Sequence, residues 1–228
     1  MKRIFITAVI ICSITNCLFT QNNPPDGFVY LDEYIPGIEV DLRYYSNDNF
    51  VGDTVDGYHA NKCIISLEAA KALKKVSAEL NAKGIGLKIF DAYRPQQAVN
   101  HFVRWAKDLG DTLTKSKYYP EERKSTLFKK GYIASKSGHS RGSAIDLTLI
   151  YLSGEKKGKE VDMGAGWDFF GTISWPSSDK VTAKQKENRM LLRNTMIKHG
   201  FKPYNKEWWH FTLKHEPFPD TYFNFPIN

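Results

Sequence analysis

Apolar positions recur along this chain with two periods. Leu67, Ala70, Leu73, Val76 and Leu80 fall on one face of a 3.6-residue helix that Gly84 stops, and Ser66 has the chemistry to cap its first turn. Pro95 can open a second helix, with Ala98, Phe102, Trp105, Ala106 and Leu109 on one side. A third is expected over about 183–199, ended by Gly200. Elsewhere the period drops to two. Residues 87–90 form a short apolar run. Over 143–149, Ile145, Leu147 and Leu149 alternate with Ala144, Asp146 and Thr148. Over 209–213, Trp209, Phe211 and Leu213 alternate with His210 and Thr212. Helices and strands come in separate blocks without a βαβ beat. That predicts a single α+β domain, an antiparallel sheet with helices.

The first 20 residues depart from this pattern. Lys2-Arg3, an apolar stretch over 4–12 and a more polar patch over 13–16 read as a secretory signal, cut between Thr20 and Gln21. The expected location is therefore outside the cytoplasm, in a periplasm. Lipidation at Cys17 fits worse, because Asn16 stands where a small residue is needed. The mature domain would span 21–228, with no repeat and no Gly/Ser-rich linker. Losing Cys12 and Cys17 leaves Cys63 alone, expected as a buried, inert thiol. Three cysteines exclude a disulfide scaffold, and 42% hydrophobic with 25% charged residues excludes disorder. The formal charge of +7 falls to 30 basic against 25 acidic residues without Lys2 and Arg3. The basic residues are mixed with acids, as in Glu121-Glu122-Arg123-Lys124, so no nucleic-acid partner is expected. No stable protein partner is evident either.

The two alternating strands carry the chemistry. Each turns its apolar residues one way and one metal-ligand type, Asp146 or His210, the other. His139 precedes Asp146 by seven residues, within Ser137-Gly138-His139-Ser140-Arg141-Gly142. Two imidazoles and a carboxylate suit a catalytic zinc with one position left open. Glu207 lies three residues before His210, an odd spacing that sends the two to opposite faces of a uniform strand. A turn or bulge before Trp209 would bring both toward one ion, with Glu207 as general base for an attacking water. Trp208 and Trp209 would raise the pKa of that carboxyl. Arg94, in Asp91-Ala92-Tyr93-Arg94-Pro95, sits at a strand-to-helix junction. It could stabilise an oxyanion in a cleft, or simply pair with Asp91. His59, His101, His199 and His215 carry no such context.

Three stretches together, Ser137–Leu149, Glu207-Trp208-Trp209-His210 and Asp91-Ala92-Tyr93-Arg94-Pro95, resemble the D-alanyl-D-alanine dipeptidases of the VanX type. The likeness extends through Val55-Asp56-Gly57-Tyr58, Lys117-Tyr118-Tyr119-Pro120, the stretch 131–136 and Phe223-Asn224-Phe225-Pro226, covering nearly all of 28–227. The resemblance implies the α+β fold shared by zinc D,D-carboxypeptidases and the Hedgehog signalling domain. It also implies one zinc per chain on His139, Asp146 and His210, with Glu207 as base and Arg94 steadying the transition state. Tyr44, Asp91, Ser137 and Asp168 match positions that grip a small D,D-dipeptide, and Asp168 would pair with its free ammonium. Gly138 stands where the best-known members carry a second serine, and Trp167 where they carry Phe. A leader is unusual against the cytoplasmic resistance enzymes and points to wall turnover or scavenging. Two rivals stay open: a D,D-carboxypeptidase or endopeptidase acting on whole wall stems, and a non-catalytic wall-binding module that keeps a structural zinc.

Overall fold

The computed structural model describes residues 23–228. The expected leader, with Cys12 and Cys17, lies outside the described residues. Along the chain run β1 (Phe28–Tyr30), α1 (Leu31–Tyr34), β2 (Glu39–Val40), β3 (Ile64–Ser66), α2 (Leu67–Asn81), β4 (Ile85–Asp91) and α3 (Gln96–Lys107). There follow α4 (Lys115–Tyr118), α5 (Leu127–Lys130), β5 (Ala144–Tyr151), α6 (Ala183–Lys198), β6 (Phe201–Pro203) and β7 (His210–Leu213).

Five strands form one sheet in the order β2-β4-β5-β7-β6, and β1 pairs with β3 apart from it. The pairs β4–β5, β5–β7 and β6–β7 are antiparallel, as the alternation predicts. The edge pair β2–β4 is parallel, a local departure within the expected antiparallel sheet. The chain between them is long and contains α2, the kind of crossover that a parallel return needs.

The three long helices form close to their expected positions, α2 and α3 on their apolar periodicity and α6 ended at Gly200, with two local differences. Ser66 is the N-cap residue of α2, but its side chain makes no cap bond. Its hydroxyl pairs instead with Ser143 Oγ at 2.8 Å and ties β3 to the start of β5. In the second helix, Leu109 is 58% exposed because α3 ends at Lys107. Asp108 Oδ1 accepts from the Gly110 backbone N–H at 3.1 Å, a local turn that competes with helix continuation.

Ile145, Leu147 and Leu149 of β5 are fully buried and join Leu73, Val76 and Leu80 of α2 and Leu192 of α6 in one core. Burying each such side chain contributes about 1.5–3 kcal/mol. The opposite face of β5 is buried too: Asp146 is 2% exposed and Thr148 is fully covered. The stretch after β5 reaches this face, with the Trp167 and Phe90 ring centres 5.5 Å apart. Polar side chains of α6 hold that stretch. Gln185 donates to the Asp162 carboxylate at 2.9 Å and Asn188 to the Asp162 carbonyl at 2.8 Å. The buried Arg189 donates to the carbonyls of Met163 (2.6 Å), Ile173 (2.9 Å) and Trp175 (3.0 Å). The alternation of β5 thus separates a packing face from a site face, and neither is open to bulk water.

Candidate metal centre

Register places the site. Across three neighbouring strands, Asp91 of β4 stands opposite Asp146 of β5, and Asp146 stands opposite His210 of β7. A bulge between Ile89 and Asp91 achieves this. Without it Phe90 would oppose Asp146, because one extra residue moves every following side chain by one position. His139 arrives from the 3₁₀ turn Gly138–Arg141, just before β5. The Ser137 side chain caps that turn by accepting from the His139 backbone N–H at 3.2 Å.

The three expected ligands converge. His210 Nδ1 lies 2.9 Å from Asp146 Oδ1, His139 Nε2 lies 3.1 Å from His210 Nδ1, and His139 Nε2 lies 3.4 Å from Asp146 Oδ1. Donors of a tetrahedral zinc with bonds of about 2.0–2.1 Å are separated by roughly 3.3 Å, so this set fits such an ion. It is the one cluster of its kind among the described residues. Hydrogen bonds also set the tautomers. His139 Nδ1 donates to the Ala92 carbonyl at 2.6 Å, which leaves the Nε2 lone pair facing the cluster. His210 Nε2 faces Thr212 Oγ1 at 3.4 Å, with Nδ1 turned to Asp146. Burial alone would raise the Asp146 pKa, but the two imidazoles hold it below its ordinary value. Burial alone would lower His210, and Asp146 with Glu207 instead raises it.

Glu207 precedes β7, and the Trp208–Trp209 turn brings it to the face of His210. Its Oε2 lies 3.8 Å from His210 Nδ1. The Trp208 backbone N–H donates to the Ser174 carbonyl at 3.0 Å, and both indoles are buried. Desolvation pushes the Glu207 pKa up to about 7 despite the pull of His210. Arg94 both pairs with Asp91 and lines the cavity. Its Nε and one Nη bond Asp91 Oδ2 at 2.9 and 2.8 Å, and this pair aims the guanidinium into the same cavity, 3.6 Å from Asp146 Oδ2. The Tyr44 and Phe102 rings pack against it.

The cavity holds about 230 Å³ and is lined by all three ligands, Glu207 and Arg94, and also by Tyr44, Ser137 and Asp168. Asp91, expected to grip substrate, is not among its lining residues. It is fully buried behind the cavity, where Tyr58 donates to Oδ1 at 2.6 Å and Arg94 takes Oδ2. Asp168 is 6% exposed and accepts from the Tyr44 hydroxyl at 2.6 Å. No cation pairs with it among the described residues. Burial and the nearby Asp146 push its carboxyl well above the usual range, against the pull of Tyr44 and Arg94. Its backbone is left-handed, φ 57°, a strained conformation of the kind that gathers at functional sites. Trp167, beside it, has Nε1 3.4 Å from Asp146 Oδ2, a contact that Phe could not make.

Sequence reasoning missed Tyr58, which orients Asp91 across 33 residues, and the aromatic wall of Phe50, Phe102 and Phe170. Their roles arise from long-range contact, and no local pattern marks them. Cys63 is free, and burial raises its thiol pKa well above normal, as expected of an inert core cysteine.

Two imidazoles and a carboxylate with room beside them, a desolvated glutamate and a cleft arginine define a metallopeptidase centre. The chain belongs to the peptidase M15 family, described as D-ala-D-ala dipeptidase, which matches residues 25–228. It is 44% identical over 203 residues to a protein named D-alanyl-D-alanine dipeptidase from Enterococcus faecalis, covering 89% of this chain and 99% of that one. Its identity to the protein of the same name from Enterococcus faecium is 43% over 201 residues, covering 88% and 98%. Among solved structures, a vancomycin-resistance D,D-pentapeptidase in complex with Zn(II) matches at a TM-score of 0.40 and 14% identity, over 69% of this chain and 77% of that one.

Proposed function

We propose that this chain hydrolyses the D-Ala-D-Ala dipeptide to free D-alanine, using one zinc per chain held by His139, Asp146 and His210. The observation that carries the reading is Asp168: a buried carboxyl with no cation paired to it among the described residues, in the small cavity also lined by His139, Asp146, His210 and Glu207. A substrate with a free ammonium supplies the missing charge. A longer wall stem has no ammonium at that position and would leave Asp168 unpaired, at a cost of about 1–3 kcal/mol or more.

When bound, zinc supplies a Lewis acid that polarises the peptide carbonyl and acidifies water. The protein residues do the rest. Asp168, oriented by the Tyr44 hydroxyl, fixes the amino end. Glu207 takes a proton from the attacking water and returns it to the leaving amine; a carboxyl titrating near neutrality is suited to both transfers. Arg94, held by Asp91, faces the developing negative charge on the carbonyl oxygen. The aromatic wall excludes water and strengthens each of these interactions.

The basic and apolar character of the first 20 residues supports export, and with it a role in wall turnover or scavenging rather than clearance of cytoplasmic dipeptide. The direct test is release of D-alanine from D-Ala-D-Ala by the purified protein. It should stop with a chelator and return with zinc; a chelator-insensitive or absent reaction would refute the reading. Asp168→Ala should lose activity on the dipeptide at least about 10-fold more than on an N-acylated analogue, since only the dipeptide offers an ammonium. Equal losses would remove Asp168 from ammonium binding.

A further inference from the structure

Phe223-Asn224-Phe225-Pro226 stands out in the sequence, yet none of these residues lines the cavity. Their contacts lead to Arg94. Helix α3 starts directly after Arg94-Pro95, and its N-cap residue Pro95 has no side-chain oxygen to hold the first N–H groups. Partners for them come from 127 residues away. The Gln97 N–H donates to Asn224 Oδ1 at 2.7 Å, and the Gln96 N–H to the Phe223 carbonyl at 3.0 Å. Asn224 thus does for α3 what an N-cap asparagine does in its own helix. On the other side of Arg94, the Tyr93 ring stacks on Phe225 with centres 4.0 Å apart, and its hydroxyl donates to the Phe225 carbonyl at 2.9 Å. The Arg94 N–H donates to the His139 carbonyl at 3.3 Å, and the Phe223 N–H to the Ser140 carbonyl at 2.8 Å. The stretch 223–227 therefore joins the Arg94 backbone to the turn that carries His139. It also reaches the support of the guanidinium. Ile227 donates its N–H to the Gly57 carbonyl and accepts from the His59 N–H, both at 2.8 Å. These bonds flank Tyr58, whose hydroxyl orients Asp91, and Asp91 holds Arg94.

We propose that Asn224 is a positioning residue: by capping α3 from the stretch 223–227, it fixes the Arg94 backbone against the His139 turn and so places the guanidinium where the oxyanion forms. The proposal rests on the dipeptidase reading and extends it to a residue outside the cavity. A displacement of about 1 Å in a group that stabilises the transition state is enough to slow a reaction up to roughly 100-fold.

Steady-state kinetics of the zinc-loaded full chain on D-Ala-D-Ala test this, with zinc content and melting temperature measured alongside. Asn224 is exposed, so its truncation leaves the core packing in place. Asn224→Ala should lower kcat about 10-fold, with KM and zinc content nearly unchanged. Asn224→Asp, which accepts the same N–H, should restore most of the loss. In an Arg94→Gln background, Asn224→Ala should cost no further turnover, while its drop in melting temperature persists. Tyr93→Phe, which removes only the hydroxyl bond to Phe225, should follow the same pattern with a loss of about threefold. Parental kcat in Asn224→Ala, or an equal loss with and without Arg94, overturns the positioning role alone. A parent that does not hydrolyse D-Ala-D-Ala overturns the dipeptidase reading, and the positioning role falls with it.

Discussion

Glu207→Gln should turn over D-Ala-D-Ala at least about 100-fold more slowly than the parent while binding the same amount of zinc. The amide keeps the size of the carboxylate and cannot accept the proton. The pH profile supplies an independent reading. Glu207 must be ionised to act as base, so kcat/KM falls as pH drops through its pKa. Burial raises that pKa from 4.5 toward about 7, and a bound cation pulls it back. The acidic limb should therefore lie between those two values, and Glu207→Gln should lose it in its residual activity. Near-parental turnover, or an unchanged acidic limb, would take Glu207 out of the proton transfer.

His139→Ala should come through dialysis without zinc, whereas the parent retains one equivalent by elemental analysis. Removing one of three protein ligands leaves a two-donor set. It also removes the partner that, with His210, keeps the buried Asp146 ionised. A ligand that binds only the folded chain raises its melting temperature, so added zinc should stabilise the parent and leave His139→Ala unmoved. A full equivalent of zinc in the variant would break the proposed ligand set.

These expectations draw on two kinds of information. Asp146 and His210 were visible from the alternation of their strands, because the apolar neighbours of each fix the face on which the polar residue lies. The helices α2 and α3 were visible for the same reason, and α6 from the glycine that ends it. Glu207 was visible only conditionally. Its spacing from His210 is wrong for a strand, and the Trp208–Trp209 turn that corrects it is held partly by Ser174, 34 residues earlier in the chain. Arg94 was left between two readings; the pair with Asp91 is present, and it aims the guanidinium into the cavity.

Asp91 itself shows the limit most clearly. Its identity was plain, but its position behind the cavity depends on one bulge residue in β4 and on a tyrosine brought from 33 residues away. The Tyr44–Asp168 bond joins residues 124 apart, and the covering of the β5 site face depends on the hold of α6 on the stretch 162–175. Local periodicity, set by backbone geometry, marked α2, α3, β5 and β7 and the faces they pack. Register, bulges and loop closure are decided by contacts between distant segments. Only the folded chain could therefore determine that His139, Asp146 and His210 meet within a few ångströms, that Glu207 is desolvated beside them, and that Asp168 is buried with no cation paired to it among the described residues.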